Sequence, residues 1–209
     1  TDQNHAAPLI KTSTNENESV NEMMMGGSYN VFAEIVDGKL YVHESPVHGD
    51  RNLITDPADA NASPFGWHDV DGVEGAEFEI TRGNNVHAYL DINDDNSPDA
   101  ESDVTGGADL LFDFPWTDLE NPENSEEAAV TNLFFMNNFL HDFTYAYGFD
   151  ESAGNFQANN YEENPNGGND HVRAEAHDGR QIHYDSLVDD DEETDDEDHI
   201  NNANFATPS

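Results

Sequence analysis

One segment is periodic and bulky enough to decide what the chain can fold into: "NSEEAAVTNLFFMNNFLHDFTYAYG", residues 124–148. Ala129, Leu133, Met136, Leu140, Phe143 and Tyr147 recur at spacings of four and three, which puts them on one helical face and predicts a buried apolar stripe. Asn124 suits the N-cap, with Glu127 at the third helical position as in a capping box. Glu126 and Glu127 stand where the helix dipole favours anions, and Gly148 marks the end. Asn138, His141, Asp142 and Tyr145 lie off the stripe.

The segments around this helix read as strands and turns. "YNVFAEIV" sets Tyr29, Val31, Ala33 and Ile35 on one face, and Asp37-Gly38 supplies a two-residue turn into "KLYVHE", so a hairpin is predicted. "EFEITRGNNVHAYLD" predicts strands at about 77–82 and 86–91, joined through Gly83-Asn84. "DLLFDF" at 109–114 and a piece around "HVRAEA" at 171–176 are further short strands. "DPADANASPFGWHDVDG" is dense in turn formers, with Phe65 and Trp67 expected to pin it to the core. Residues 1–27 show no sustained period and read as linker. The predicted class is α+β: a β-rich unit with one long buried helix at about 125–147.

Whether such a chain folds at all is a question of charge. Forty-six Asp and Glu face only six Lys and Arg, a formal net charge of −40, and apolar residues make up only 35%. Twelve Phe, seven Tyr and two Trp nevertheless supply bulk that disordered chains lack. A surface this acidic repels phosphates and anionic membranes, so neither nucleic acid nor a membrane is an expected partner, whereas cations are attracted. The run "VDDDEETDDEDH" at 188–199 resists packing and is expected as a surface loop. Without cysteine there is no disulfide, thiolate ligand or thiol nucleophile.

Complete catalytic motifs are missing from the sequence. None of the ten His begins an H-E-x-x-H run, and there is no G-x-S-x-G elbow, Walker loop or dinucleotide fingerprint. "DINDDNSPD" spaces Asp91, Asn93, Asp95, Ser97 and Asp99 as the odd positions of a Ca²⁺ loop, although Asn96 stands where Gly is usual and Ser102 where the closing Glu would be. The competing reading is an acidic turn after a strand. In "FLHDFTY", His141 reads as a ligand or base, or as one of several polar groups that fix the helix to the β half; one His and one Asp do not complete a metal sphere.

Several separated stretches then add up. "SPVHGDR", "DPADANASPFGWHD", "GAEFEITRGNNVHAYLD", "GGADLLFDFP", "AVTNLFFMNNFLHDFTYAYGFDESAGNFQANNY", "GNDHVRAEAHDG" and "NNANFATP" occur in this order. Together they resemble the fungalysin family of secreted zinc metalloendopeptidases, over about residues 45–178 and 201–208. The resemblance implies a thermolysin-like catalytic domain of which residues 28–209 are the β-rich N-terminal part, residues 1–27 being linker or the end of a prosegment. It implies protein or peptide substrates, an extracellular location, and Zn²⁺ held by two His of H-E-x-x-H and a later Glu, with the motif Glu as base; all four are expected beyond Ser209. The missing C-terminal half is then a partner, no catalytic residue lies in this chain, and the chain alone is expected to be inactive. "NNANF" is similar to the edge strand that grips extended substrate in thermolysin-like enzymes, so Asn202 and Ala203 are carried over as substrate-binding residues. An acidic insertion at about 180–200 departs from the family pattern. The alternative function is a non-catalytic acidic module that binds Ca²⁺ or a protein.

Overall fold

The computed structural model describes residues 26–42, 50–100, 102–117, 122–161 and 167–180. The acidic run at 188–199 and the expected edge strand with Asn202 and Ala203 lie outside them. The described residues form an α+β unit of small sheets around one helix, as the class prediction has it.

Strand β1 (Ser28–Val31) is central to a three-stranded sheet, antiparallel to β4 (Asn52–Thr55) and parallel to β6 (Leu111–Phe112). Strands β2 (Ala33–Val36) and β3 (Lys39–Val42) form the expected hairpin. Its turn residues Asp37 and Gly38 both have positive φ, 51° and 74°, the backbone that a two-residue turn of this hand requires. Strands β5 (Val86–Leu90) and β7 (Val172–Ala176) pair in parallel, with Leu90 opposite Ala176.

Two strand expectations are corrected. The run from Tyr29 to Ile35 is not one strand: it breaks at Phe32, whose amide donates to the Asn132 side chain at 3.2 Å. Tyr29, Val31 and Ala33 are buried, but beyond the break Ile35 is 44% exposed on a two-stranded ribbon. Residues 77–82 form no strand and pair only through the bridges Ile80 to Thr105 and Arg82 to His87. Gly83 sits too close to the preceding loop for any side chain, since a Cβ there would meet the Trp67 carbonyl oxygen at 1.6 Å.

The helix α1 spans Glu126–Tyr145 and packs on β1, β5 and β7. Its start differs from the expected capping box. Residues Pro122–Ser125 form a 3₁₀ turn, so Asn124 precedes the helix rather than capping it. Ser125 takes the N-cap position without a capping bond and its hydroxyl accepts from the Thr117 amide at 3.3 Å instead. The chain reverses at Gly148, φ 95°, three residues past the last helical residue.

The buried face of α1 is also not the predicted stripe. Ala128, Val130, Thr131, Phe134, Phe135, Asn138 and Asp142 face the core, whereas Leu140 and Tyr147 are 51% and 74% exposed. At 3.6 residues per turn, Leu140 lies on the side of the helix away from Asp142. Leu133 and Met136 reach only the margin of the core. The helix is thus long, but buried on one side only.

The core between α1 and β1 is aromatic. Tyr29 stacks on Phe112 with ring centres 5.3 Å apart, and Trp67 meets Phe135 edge-on at 5.3 Å. Trp67 is fully buried, which is how its loop is pinned; Phe65 instead touches Tyr161.

Candidate functional site

The polar half of the buried helix face holds a hub. Asp142 Oδ2 accepts from the Asp59 amide and the Trp67 indole, both at 2.9 Å. Its Oδ1 accepts from the Ser63 hydroxyl at 2.7 Å and from His141 Nδ1 at 3.0 Å. The Asn155 amide meets His141 Nε2 at 3.1 Å. Both nitrogens of His141 and both oxygens of Asp142 are therefore engaged with protein, and the two side chains are only 7% exposed. A general base needs a free lone pair within reach of substrate, and neither group offers one. The pair fixes loop 59–68 and residue 155 to the helix. The Tyr145 ring centre lies 6.3 Å from that of His141.

A second buried histidine belongs to the core. His68 Nε2 lies 2.8 Å from the Tyr29 hydroxyl and Nδ1 lies 3.1 Å from the Arg82 carbonyl oxygen. Burial pushes its pKa down to about 4, against weaker opposing pulls from the Arg82, Ile80 and Phe78 carbonyls, so it is neutral at pH 7. Burial, with Asp56 adding to it, raises the pKa of Tyr29.

The Ca²⁺-loop residues bond mainly to their own loop. Asp91 is fully buried, with Oδ1 accepting from the Asp95 amide at 3.0 Å and Oδ2 from the Asn96 amide at 2.7 Å. Asn93 accepts from the Asp95 amide at 3.1 Å, and Asp99 from the Ile92 amide at 2.6 Å. Asp95 and Ser97 are exposed. Asn96 has φ 59°, the left-handed turn its position requires. Because β5 and β7 are parallel and in register, the loops leaving them meet, and Asp91 comes together with Glu175 and Asp178, a carboxylate oxygen of each within 4.8 Å of the others.

Another carboxylate triplet, Asp69, Asp71 and Glu77, satisfies the same distance limit. In the sequence it is hidden within a turn-rich loop. Its signal is the Asp-x-Asp-Gly run at 69–72, followed by Glu77. Near the start of α1, Asp103, Glu123, Glu126 and Glu127 help line an open pocket of about 310 Å³, and Glu126 is ion-paired with Arg180.

Zinc in a peptidase is held chiefly by histidine nitrogen with one carboxylate. Among the described residues the acidic clusters contain no histidine, so they do not fit a catalytic zinc ion, and no catalytic step is derived through them.

Comparison with known proteins decides the family. The sequence profile of the fungalysin metallopeptidases (M36) matches residues 36–209. The chain belongs to the fungalysin metallopeptidase family. Extracellular metalloproteinase 9 of Uncinocarpus reesii is 36% identical over 172 residues, covering 78% of this chain and 22% of that protein. Extracellular metalloproteinase 1 of Trichophyton equinum is 36% identical over 165 residues, covering 78% of the chain and 23% of its own length. Extracellular metalloproteinase MEP of Leptosphaeria maculans gives 36% over 165 residues and 22% of its length. The chain thus spans less than a quarter of the relatives it matches. No helix of the described residues is long and apolar enough to cross a membrane.

Proposed function

We propose that the chain builds the N-terminal part of the catalytic domain of a secreted, zinc-dependent metalloendopeptidase that hydrolyses peptide bonds in proteins. The observation that carries this reading is the family match over residues 36–209, with relatives named extracellular metalloproteinases. The zinc ligands and the catalytic Glu come from sequence beyond Ser209, and the metal supplies a polarised carbonyl and an acidified water. What this portion contributes is a wall of the cleft, with Asn202 and Ala203 binding the substrate backbone by strand addition. The exposed Leu140 on the outer face of α1, with exposed Tyr147 just past its end, supports the reading: it is the kind of apolar surface that the zinc-bearing part would cover. Ca²⁺ at Asp91, Asn93, Asp95, Ser97 and Asp99 belongs to the same proposal, with Asp91 as its anchor. The stand-alone acidic module is not favoured.

The test is peptidase activity on a protein substrate with zinc present, comparing residues 1–209 with a chain extended through an H-E-x-x-H helix and a downstream Glu. The extended chain is expected to cleave and the short one not. Zinc-dependent cleavage by residues 1–209 alone would overturn the placement of the site.

A further inference from the structure

The loop between Trp67 and Ile80 carries a feature the peptidase reading does not use. Asp69 is fully buried. Its Oδ1 accepts from the Tyr161 hydroxyl at 2.7 Å and from the Gly72 amide at 3.1 Å. Its Oδ2 is buried too, yet has no hydrogen-bond donor. A buried carboxylate oxygen without a donor or a positive charge is costly, and native structures rarely keep one. Asp71 and Glu77, both exposed, bring their carboxylates within 4.8 Å of this group. We propose that Asp69, Asp71 and Glu77 bind a Ca²⁺ ion.

The rest of the loop is built to hold those three groups in place. Glu77 Oε2 accepts from the Val70 amide at 2.5 Å, and the Glu77 amide donates to the His68 carbonyl at 3.2 Å, which closes the loop on itself. Asp71 Oδ1 accepts from the Val73 amide at 2.8 Å. The Asn159 side chain donates to the Val70 carbonyl at 2.8 Å, so the loop is tied to the segment that carries Tyr161. Gly72, φ 78°, is needed for that contact, because a Cβ there would stand 2.9 Å from the Tyr161 ring. Burial raises the pKa of Asp69, against the opposing bonds from the Tyr161 hydroxyl and the Gly72 amide.

The ligand chemistry selects the metal class. Three carboxylates with no nitrogen or sulfur donor suit a hard cation, not zinc. Mg²⁺ demands a near-regular octahedron, whereas these oxygens are fixed by bonds to an irregular loop; Ca²⁺ accepts six to eight oxygens in flexible geometry and takes water at the solvent side. The ion would fasten loop 67–77 to residues 159–161, independently of where the peptidase zinc is held.

Calorimetric titration of the chelator-treated full chain with Ca²⁺ at pH 7, together with thermal unfolding in Ca²⁺ and in chelator, tests this. A saturable Ca²⁺ site is expected, with a higher unfolding temperature in Ca²⁺. Asp69→Asn should abolish that site. Because it also alters a buried group, Asp71→Asn is the deciding variant: it keeps the bond to the Val73 amide, alters only an exposed ligand, and should weaken the site at least tenfold. Asp91→Asn should leave this site in place. No saturable binding in Asp91→Asn, or a site in Asp91→Asn whose affinity is unchanged on adding Asp71→Asn, would overturn the proposal, the first outcome assigning any ion bound by the native chain to the other triplet.

Discussion

The two faces of α1 invert the usual rule. The buried face carries Thr131, Asn138 and Asp142 among its Phe and Val residues, whereas the opposite face exposes Leu140, and Tyr147 just past the helix end is exposed as well. Asn138 and Asp142 are stable there because partners meet them: the Asn85 side chain donates to Asn138 at 3.1 Å, and Asp142 collects four bonds, whereas the buried Thr131 hydroxyl has no partner. The exposed apolar groups meet no such demand within the described residues. What the difference teaches is that burial in this chain follows satisfied hydrogen bonds as much as hydrophobicity, and that an apolar face left outside is a surface for something else.

The contrast predicts unequal mutational costs. Phe134→Ala empties a fully buried site in the aromatic core and should cost about 3–5 kcal/mol in urea denaturation of the full chain. The pH profile tests the same face through His68, whose ring centre is 5.0 Å from that of Phe134. Its folded pKa of about 4 lies below the ordinary 6.5, so the unfolded chain binds a proton that the folded chain refuses. Stability from this group is present above pH 6.5, falls as pH drops towards about 4, and flattens below; the full effect is about 3 kcal/mol. Protonation of the many carboxylates acts in parallel, so the measurement is the difference in slope between the native chain and His68→Gln, which should lack this component.

Asp142→Asn keeps the size of the hub but withdraws its charge and one acceptor from the donors of Asp59, Ser63 and Trp67. A loss of about 2 kcal/mol is expected, with Trp67 fluorescence shifting as its indole loses its partner. The smallest effect belongs to the outer face: Leu140→Asn should change the stability of this chain by no more than about 0.5 kcal/mol. A cost there as large as at Phe134 would erase the distinction between the faces.

Much of this was legible in the sequence. The β2–β3 hairpin was readable because Asp37-Gly38 satisfies a demanding turn, and β7 because its alternation is local. Strand β4 was missed: only Ile54 of its four residues is buried, and its pairing with β1 is not signalled by any adjacent turn. Residues 77–82 have strand chemistry but meet their neighbours through single bridges. The helix was found, and its buried face mistaken, because periodicity ranks residues by hydrophobicity and cannot see that Ser63, Trp67 and Asn85 converge on it. Likewise the spacing of Asp91 to Asp99 is visible, whereas the buried setting of Asp69, whose other carboxylate oxygen is held by Tyr161, joins residues 92 apart.

The outer face of α1 tests the central claim, that this chain is completed by the zinc-bearing part of its domain. The chain has no native cysteine, so Leu140→Cys gives a single reporter whose rate of thiol labelling can be read without interference. The account predicts rapid labelling in residues 1–209, and labelling at least tenfold slower in the chain extended through the H-E-x-x-H helix. Equal rates in the two chains would show that nothing covers this face and would contradict it.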